Sequence, residues 1–384
     1  MIRLVARGHQ VTVLTTTTRR PGVVTPAGER QAGVRRELDW WWDDHRIISP
    51  SPQRRLTIEW RNHRALNRAI AEVRPDVVSV WNMGGMSLGL LTSVARQRIP
   101  MVLAVCDDWL IYGPTLDAWS RMFLGLSRLG QLVASVTGLP ANLPVRSWPG
   151  AYCFVSEFTR RAAERDSGWF FPLSTVVGSG IEAGEFATAP VMTPREWDWR
   201  LLYVGRVEPR KGVETAIRAL CRLPARATLQ ITGPADPVHR NALDILVEEL
   251  GLRGRVVFTQ VDRSELAATY RRADVLIFPP VWSEPFGLVP VEAMACETPV
   301  VATGTGGSGE FLTDDQNCLL FPAGDVEALA GVLRRLAGDG PLRQRLVEGG
   351  RKTASELTVD RLADVFESWH MAASGQVKSS TPRP

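Results

Sequence analysis

The chain has no apolar run of the roughly 18 residues that a membrane-spanning helix needs, so no segment reads as a span. Cysteine is sparse: Cys106, Cys153, Cys221, Cys296 and Cys318 form no C-x-x-C pair, which gives neither a zinc-site spacing nor a disulfide framework. Reduced, mostly buried thiols are expected. No Asp-x-Asp pair is present to chelate a cation, and His63, His239 and His370 lack metal-ligand spacing, so no metal and no resident cofactor are expected. The excess of one charge sign is small, +4 over 384 residues, and does not imply nucleic acid. Residues 1–10 contain Arg3, Arg7 and His9 in place of an uninterrupted apolar region, so no signal peptide is read and a cytoplasmic location is expected. No internal repeat stands out, and low complexity is confined to the last residues.

What is present is globular composition, 45% hydrophobic and 22% charged, on a chain long enough for two α/β domains. Short β-rich runs alternate with helix-like stretches in two blocks, the pattern of parallel sheets covered by helices. Strands are expected at 11–15, 77–81, 101–105 and 151–155 in the first block, with helices such as 57–73 and 158–165 between them. In the second they are expected at 200–204, 227–232, 256–259, 275–278, 299–302 and 318–321. The polar, Pro-bearing stretch 183–199 reads as a linker. The expected organisation is therefore an N-terminal domain over 1–185, a second over 195–358, a closing helix over 359–372 free to pack elsewhere, and a disordered tail over 373–384. A doubly wound sheet normally opens with a strand and a Gly-rich turn, whereas this chain opens in a helix and enters 11–15 directly. The first strand and its Gly-rich loop are thus expected to be missing from the N-terminal domain.

Two runs carry chemistry. In Val204-Gly205-Arg206-Val207-Glu208-Pro209-Arg210-Lys211-Gly212, a strand end and a tight turn set Arg206 and Lys211 five positions apart before a helix. Fixed cations there suit a diphosphate, whose charge grows as a glycosyl bond breaks. Solvated surface charges are the plain alternative. In Glu284-Pro285-Phe286-Gly287-Leu288-Val289-Pro290-Val291-Glu292, two carboxylates stand eight positions apart, just over two turns if helical, so they can face one cleft and accept hydrogen bonds from sugar and ribose hydroxyls. The N–H groups of Phe286, Gly287 and Leu288 at the helix start can meet a phosphate. A capping Glu284 and a surface Glu292 are the alternative.

Together the two runs resemble the donor-site motifs of glycosyltransferase family 4, retaining enzymes of the GT-B fold. The likeness extends to Arg7-Gly8-His9-Gln10-Val11-Thr12-Val13-Leu14-Thr15, Arg74-Pro75-Asp76-Val77-Val78, Val155-Ser156-Glu157-Phe158, Gly180-Ile181 before Phe186, and Gly306-Gly307-Ser308-Gly309-Glu310, and so spans nearly the whole chain. The resemblance implies two Rossmann-like domains facing across a cleft, the first choosing the acceptor and the second binding a UDP- or GDP-sugar, with the last helix returning to the first domain. It implies that Arg206 and Lys211 hold the diphosphate, Glu284 contacts the donor sugar, Glu292 binds the ribose, and Gly205, Phe286, Gly287 and Leu288 line the pocket. It also implies metal-independent transfer with retention, by front-face attack assisted by the leaving phosphate, in polysaccharide, glycolipid or glycoside biosynthesis. The chain departs from the family at Cys106-Asp107-Asp108, where relatives often carry His before Asp; a thiol cannot make the same hydrogen bonds. Cys106, Asp107 and Asp108 are the acceptor-side candidates, with ordinary strand-end turn chemistry as the alternative.

Weaker features are Trp40-Trp41-Trp42 with Asp43, Asp44 and His45, which offers either a stacking surface or core packing, and a basic helix with Arg54, Arg55, Arg61, Arg64 and Arg68. The stretch 119–139 is apolar, with only Arg121 and Arg128 charged. The last two could dock on an anionic membrane carrying a lipid-linked acceptor, at the inner membrane face; a solvated helix face and a core helix are the alternative. The acceptor is left open among glycan, lipid-linked and small-molecule classes. A sugar-nucleotide epimerase of the same fold and an inactive nucleotide-binding subunit are the rival functions.

Overall fold

A computed structural model describes residues 1–18, 33–43, 46–47, 50–186 and 196–375, with side chains of 42, 43, 46 and 47 excepted. The chain divides into two compact units, one of Met1–Val155, Thr159–Val177 and Ala363–Pro384, the other of Ser156–Phe158 and Gly178–Leu362. Of the stretch read as a linker, Ala183–Phe186 is a short helix and 187–195 lie outside the described residues, as do Asp44, His45 and tail residues 376–384.

In the first unit β1 (Thr12–Thr16) pairs in parallel with β2 (Gly33–Leu38), and β3 (Trp42–Asp43) pairs antiparallel with β4 (Arg46–Ile47). A separate parallel sheet has the order β5 (Val78–Trp81), β6 (Met101–Val105), β7 (Ala151–Phe154), β8 (Ser174–Val176). β6 and β7 are buried at every position, as parallel strands covered on both faces must be. Among the described residues no strand precedes β1, and the parallel strands fall into these two groups. Helix Pro52–Val73 begins five residues earlier than its hydrophobic period predicts, because Ser51 caps it, accepting from Arg54 N at 3.4 Å, and Pro52 suits the first turn.

The last helix, Val359–Ala373, ends in the first unit. There Phe366 stacks on Trp81 with centroids 4.8 Å apart, and Arg7 donates to Glu367 at 2.5 Å and to Asp364 at 2.6 Å. His370 Nε2 meets Ser79 Oγ at 2.9 Å, and burial, with the charge of His9 second, holds its pKa down at about 4, so the ring is a neutral tether at pH 7. Trp41, one of the three adjacent tryptophans, is fully buried with Ile58, Trp119 and Phe123. For this residue the stacking-surface reading gives way to core packing, because no ring face is left for a ligand.

The second unit is one six-stranded parallel sheet ordered β11 (Val256–Thr259), β10 (Thr228–Thr232), β9 (Arg200–Val204), β12 (Val275–Phe278), β13 (Val300–Ala302), β14 (Leu319–Leu320). Its core joins β9, β10 and β12 to helices Val213–Ala219, Pro237–Glu249 and Val326–Gly338 through Leu201, Ile231, Ile217, Leu243 and Leu333. Crossovers run outward to β11 on one side and to β14 on the other, which sets the reversal of strand order between β9 and β12.

Candidate active site

The carboxyl ends of strands at such a reversal leave a crevice that the following loops line. Here those loops are 205–212 after β9 and 279–287 after β12. Gly205 turns the chain at φ +142°, and a Cβ on Gly233, at φ +144°, would lie 2.1 Å from the Gly205 carbonyl oxygen, so glycine is required at both. Tyr203 donates its hydroxyl to the Arg206 carbonyl at 2.7 Å and fixes the turn. Gly212, at φ +68°, brings the two loops together: a Cβ there would be 1.9 Å from the Pro279 carbonyl oxygen.

This closure places Lys211 Nζ 2.8 and 3.1 Å from the two carboxylate oxygens of Glu284, to which the Trp282 indole N–H also donates at 2.9 Å. The two charged side chains are only 14% and 12% exposed. The Arg210 guanidinium lies over the Trp282 ring, 4.1 Å from its centroid, and donates to Glu208 at 2.8 Å. Arg206 is mostly exposed, its nearest acid being Glu208 at 3.6 Å. Gly287, at φ +94°, is the N-cap of helix Leu288–Ala295. Gly205, Arg206, Lys211, Glu284, Gly287 and Leu288 thus line one pocket. Two cations, a helix start and a carboxylate within it can bind a polyanion and a hydroxyl side by side.

Phe286 and Glu292 are not among the residues lining that pocket. The Phe286 ring is buried against Phe311, centroids 4.8 Å apart. Glu292 accepts from Tyr270 OH at 2.8 Å and has Arg263 at 3.9 Å. Burial pushes its carboxyl up, against the pull of the Tyr270 hydrogen bond. The two-turn spacing does not apply, because Glu284 precedes the helix and only Glu292 lies on it.

Several contacts of this loop are invisible in the sequence. Gly307 N donates to the Glu284 carbonyl at 2.7 Å, and a Cβ on Gly307 would come within 2.0 Å of the Pro285 carbonyl oxygen and 2.5 Å of Ser156 Oγ. Glu310 then accepts from Glu157 N at 2.9 Å and Phe158 N at 2.6 Å, at the start of helix Glu157–Asp166. Segments 156–158, 283–287 and 306–310 therefore brace one another. Trp282 and Arg210 were also missed; the only sequence signal was an aromatic two positions before Glu284.

In the first unit Cys106, Asp107 and Asp108 follow β6. The Asp107 carboxylate accepts from Trp109 N at 3.0 Å, Tyr112 OH at 3.1 Å and Asn82 Nδ2 at 3.2 Å. Burial raises its pKa against those three hydrogen bonds. Asp108 is raised too, by burial and then by Asp107. Cys106 reaches the surface, yet packing around its sulfur, with the Asp107 charge second, pushes the thiol up to about 11, which leaves it protonated and weakly nucleophilic at neutral pH.

Two units of parallel sheets and helices, with a cation–carboxylate pocket at the switch point of the second, define a two-domain α/β protein. Residues 2–169 match the family model described as Glycosyltransferase Family 4, and residues 190–353 that described as Glycosyl transferases group 1. The chain belongs to glycosyltransferase family 4. It is 39% identical over 166 residues to a D-inositol 3-phosphate glycosyltransferase of Xylanimonas cellulosilytica, an alignment covering 42% of this chain and 40% of that protein. The chain spans about half or less of the length of the curated relatives it matches. The fold is that of the GT-B structures. The sucrose-phosphate synthase of Thermosynechococcus elongatus superposes with a TM-score of 0.69 at 22% identity, covering 96% of this chain and 91% of that one. Anabaena HepE, solved in complex with UDP-glucose, superposes with a TM-score of 0.64 at 18% identity, covering 94% and 100%.

Proposed function

We propose that the chain moves a sugar from a nucleoside diphosphate sugar to an acceptor hydroxyl with retention of configuration. The observation that supports this most is the pocket of Arg206, Lys211 and Glu284 at the start of helix Leu288–Ala295. In this reading the donor diphosphate takes the place of the Glu284 carboxylate as the partner of Lys211, and Arg206 meets the same phosphates from the open side. Glu284, held by the Trp282 N–H, turns its released oxygen to a donor-sugar hydroxyl. The bond from the anomeric carbon to the β-phosphate oxygen breaks as the acceptor oxygen attacks from the same face, and the acceptor proton passes to the leaving phosphate. Lys211 and Arg206 stabilise the charge that grows there. We assign the ribose hydroxyls to Glu292, which the Tyr270 hydroxyl orients.

UDP is the first base to test, because HepE of the same fold was solved with UDP-glucose; GDP is the second. Thermal unfolding with UDP, GDP and ADP, on the wild type and on Arg206→Ala/Lys211→Ala, checks the site. A nucleotide at a hundred times its Kd should add about 2.7 kcal/mol to the wild type and nothing to the double variant. A shift that survives both substitutions places the nucleotide elsewhere. We also propose metal-independent transfer: EDTA added to an assay with UDP-glucose should leave the rate unchanged, and a loss restored by Mg²⁺ or Mn²⁺ overturns it. The hydrogen bonds that occupy Asp107 favour one rival reading, a nucleotide-binding subunit without turnover. Slow hydrolysis of the bound donor is the result that rejects it. We place the protein in the cytoplasm, where its free cysteines stay reduced.

A further inference from the structure

Helix Ser127–Thr137 is mounted with its apolar side outward. Leu129, Leu132 and Val136, spaced three and four apart and so on one face, are 47%, 61% and 79% exposed. The turn before it adds Leu124 and Leu126, 58% and 53% exposed. The opposite face holds the helix in this orientation: Gly130 is its one buried residue, and a Cβ there would lie 2.0 Å from Asn142 Oδ1, while Asn142 Nδ2 donates to the Ser127 carbonyl at 2.8 Å. Val133 packs on the cluster of Trp41, Ile58 and Trp119. A surface helix normally turns such a stripe to the core, and isolated exposed leucines need no explanation whereas a contiguous set does.

The stretch of chain that carries the stripe has charge of one sign. Residues 118–149 contain no Asp or Glu, and their charged residues are Arg121, Arg128 and Arg146. A short helix with leucines outward and arginines beside them matches the boundary between acyl chains and anionic headgroups, where the apolar side chains leave water and guanidinium groups meet lipid phosphates.

We infer that Leu124, Leu126 and helix Ser127–Thr137 dock the first unit onto an anionic lipid bilayer. The inference extends the proposed transfer to an acceptor presented at a membrane, while the docking itself stands on the helix alone. The test is co-sedimentation of the full chain with phosphatidylcholine vesicles and with mixed phosphatidylcholine–phosphatidylglycerol vesicles. The wild type should bind the mixed vesicles, more weakly as salt rises. Leu129→Ser/Leu132→Ser/Val136→Ser should reduce binding by about tenfold or more. Arg121→Gln/Arg128→Gln should remove most of the preference for mixed over neutral vesicles. The substituted side chains are exposed, so both variants should keep the wild-type melting temperature and its response to UDP. Equal binding by the wild type and the triple serine variant overturns the proposal, as does absence of wild-type binding to either vesicle. A wild-type dimer in solution that the triple variant dissolves assigns the stripe to a second copy and overturns it equally. Vesicle binding without any nucleotide response would reject the transfer reading and leave the docking in place.

Discussion

Replacing Lys211 by alanine is expected to slow sugar transfer by about 10²–10³-fold, the usual cost of removing one preorganised donor to a developing oxyanion. Protection by UDP should be lost with it. The same substitution should destabilise the ligand-free protein by up to about 3 kcal/mol, because the Glu284 carboxylate, 12% exposed, keeps the Trp282 N–H but loses its cation. Adding Glu284→Gln to Lys211→Ala should restore part of that stability and none of the activity. Arg206→Ala supplies the contrast. Its side chain is 60% exposed, so stability should stay within about 0.5 kcal/mol while transfer falls. Urea unfolding and initial rates on the same preparations separate the two effects. Full activity in Lys211→Ala would remove the pocket from the reaction.

The second large effect is a pH dependence centred on Glu59 in the first unit. Its carboxyl is fully buried on helix Pro52–Val73, accepts from Ser87 Oγ at 2.6 Å, and has His63 Nδ1 at 3.3 Å. Burial, followed by the charge of Asp117, raises its pKa well above 4.5. The folded protein therefore holds a proton that the unfolded chain releases above pH 4.5, so stability is full below that pH and declines as pH rises through the folded-state pKa. Asp117, also raised by burial, acts in the same direction, while His63, lowered by burial, weakens the fold as pH falls below 6.5. The difference between wild type and Glu59→Gln isolates the one group. The glutamine variant should gain on the wild type by about 1.4 kcal/mol per pH unit above pH 4.5 until the folded-state pKa is passed. A difference that does not change from pH 4 to pH 8 would mean that Glu59 is charged in the fold.

Strands with one strong apolar run were legible in the sequence: β6, β9 and β12 begin and end at the predicted residues, since burial on both faces leaves no other use for such runs; the edge strand β11 does so too, although none of its residues is fully buried. β2 was missed because Gly33-Val34-Arg35-Arg36-Glu37-Leu38 carries its charges in the middle; Arg35 and Glu37 find ion-pair partners in Glu72 and Arg68 of the helix that follows. β8 was missed because three residues carry no period.

At the site, the sequence by itself determined where the two loops lie and which groups they carry. Cations at 206 and 211 and a carboxylate at 284 at two strand ends suit an anion pocket, with solvated charges and a helix cap as the alternative readings. Only the tertiary structure decided which of these groups meet. It paired Lys211 with Glu284, through loops whose close approach depends on Gly212 and the Pro279 carbonyl. It set Glu292 against Tyr270, because the helix starts only at Leu288. It occupied Asp107 with Asn82 and Tyr112, and it turned the leucines of helix Ser127–Thr137 outward on the seat that Gly130 makes. Residue type and local spacing fix what a group can bind; which partner it has depends on contacts between segments far apart in the chain, and no local period encodes those.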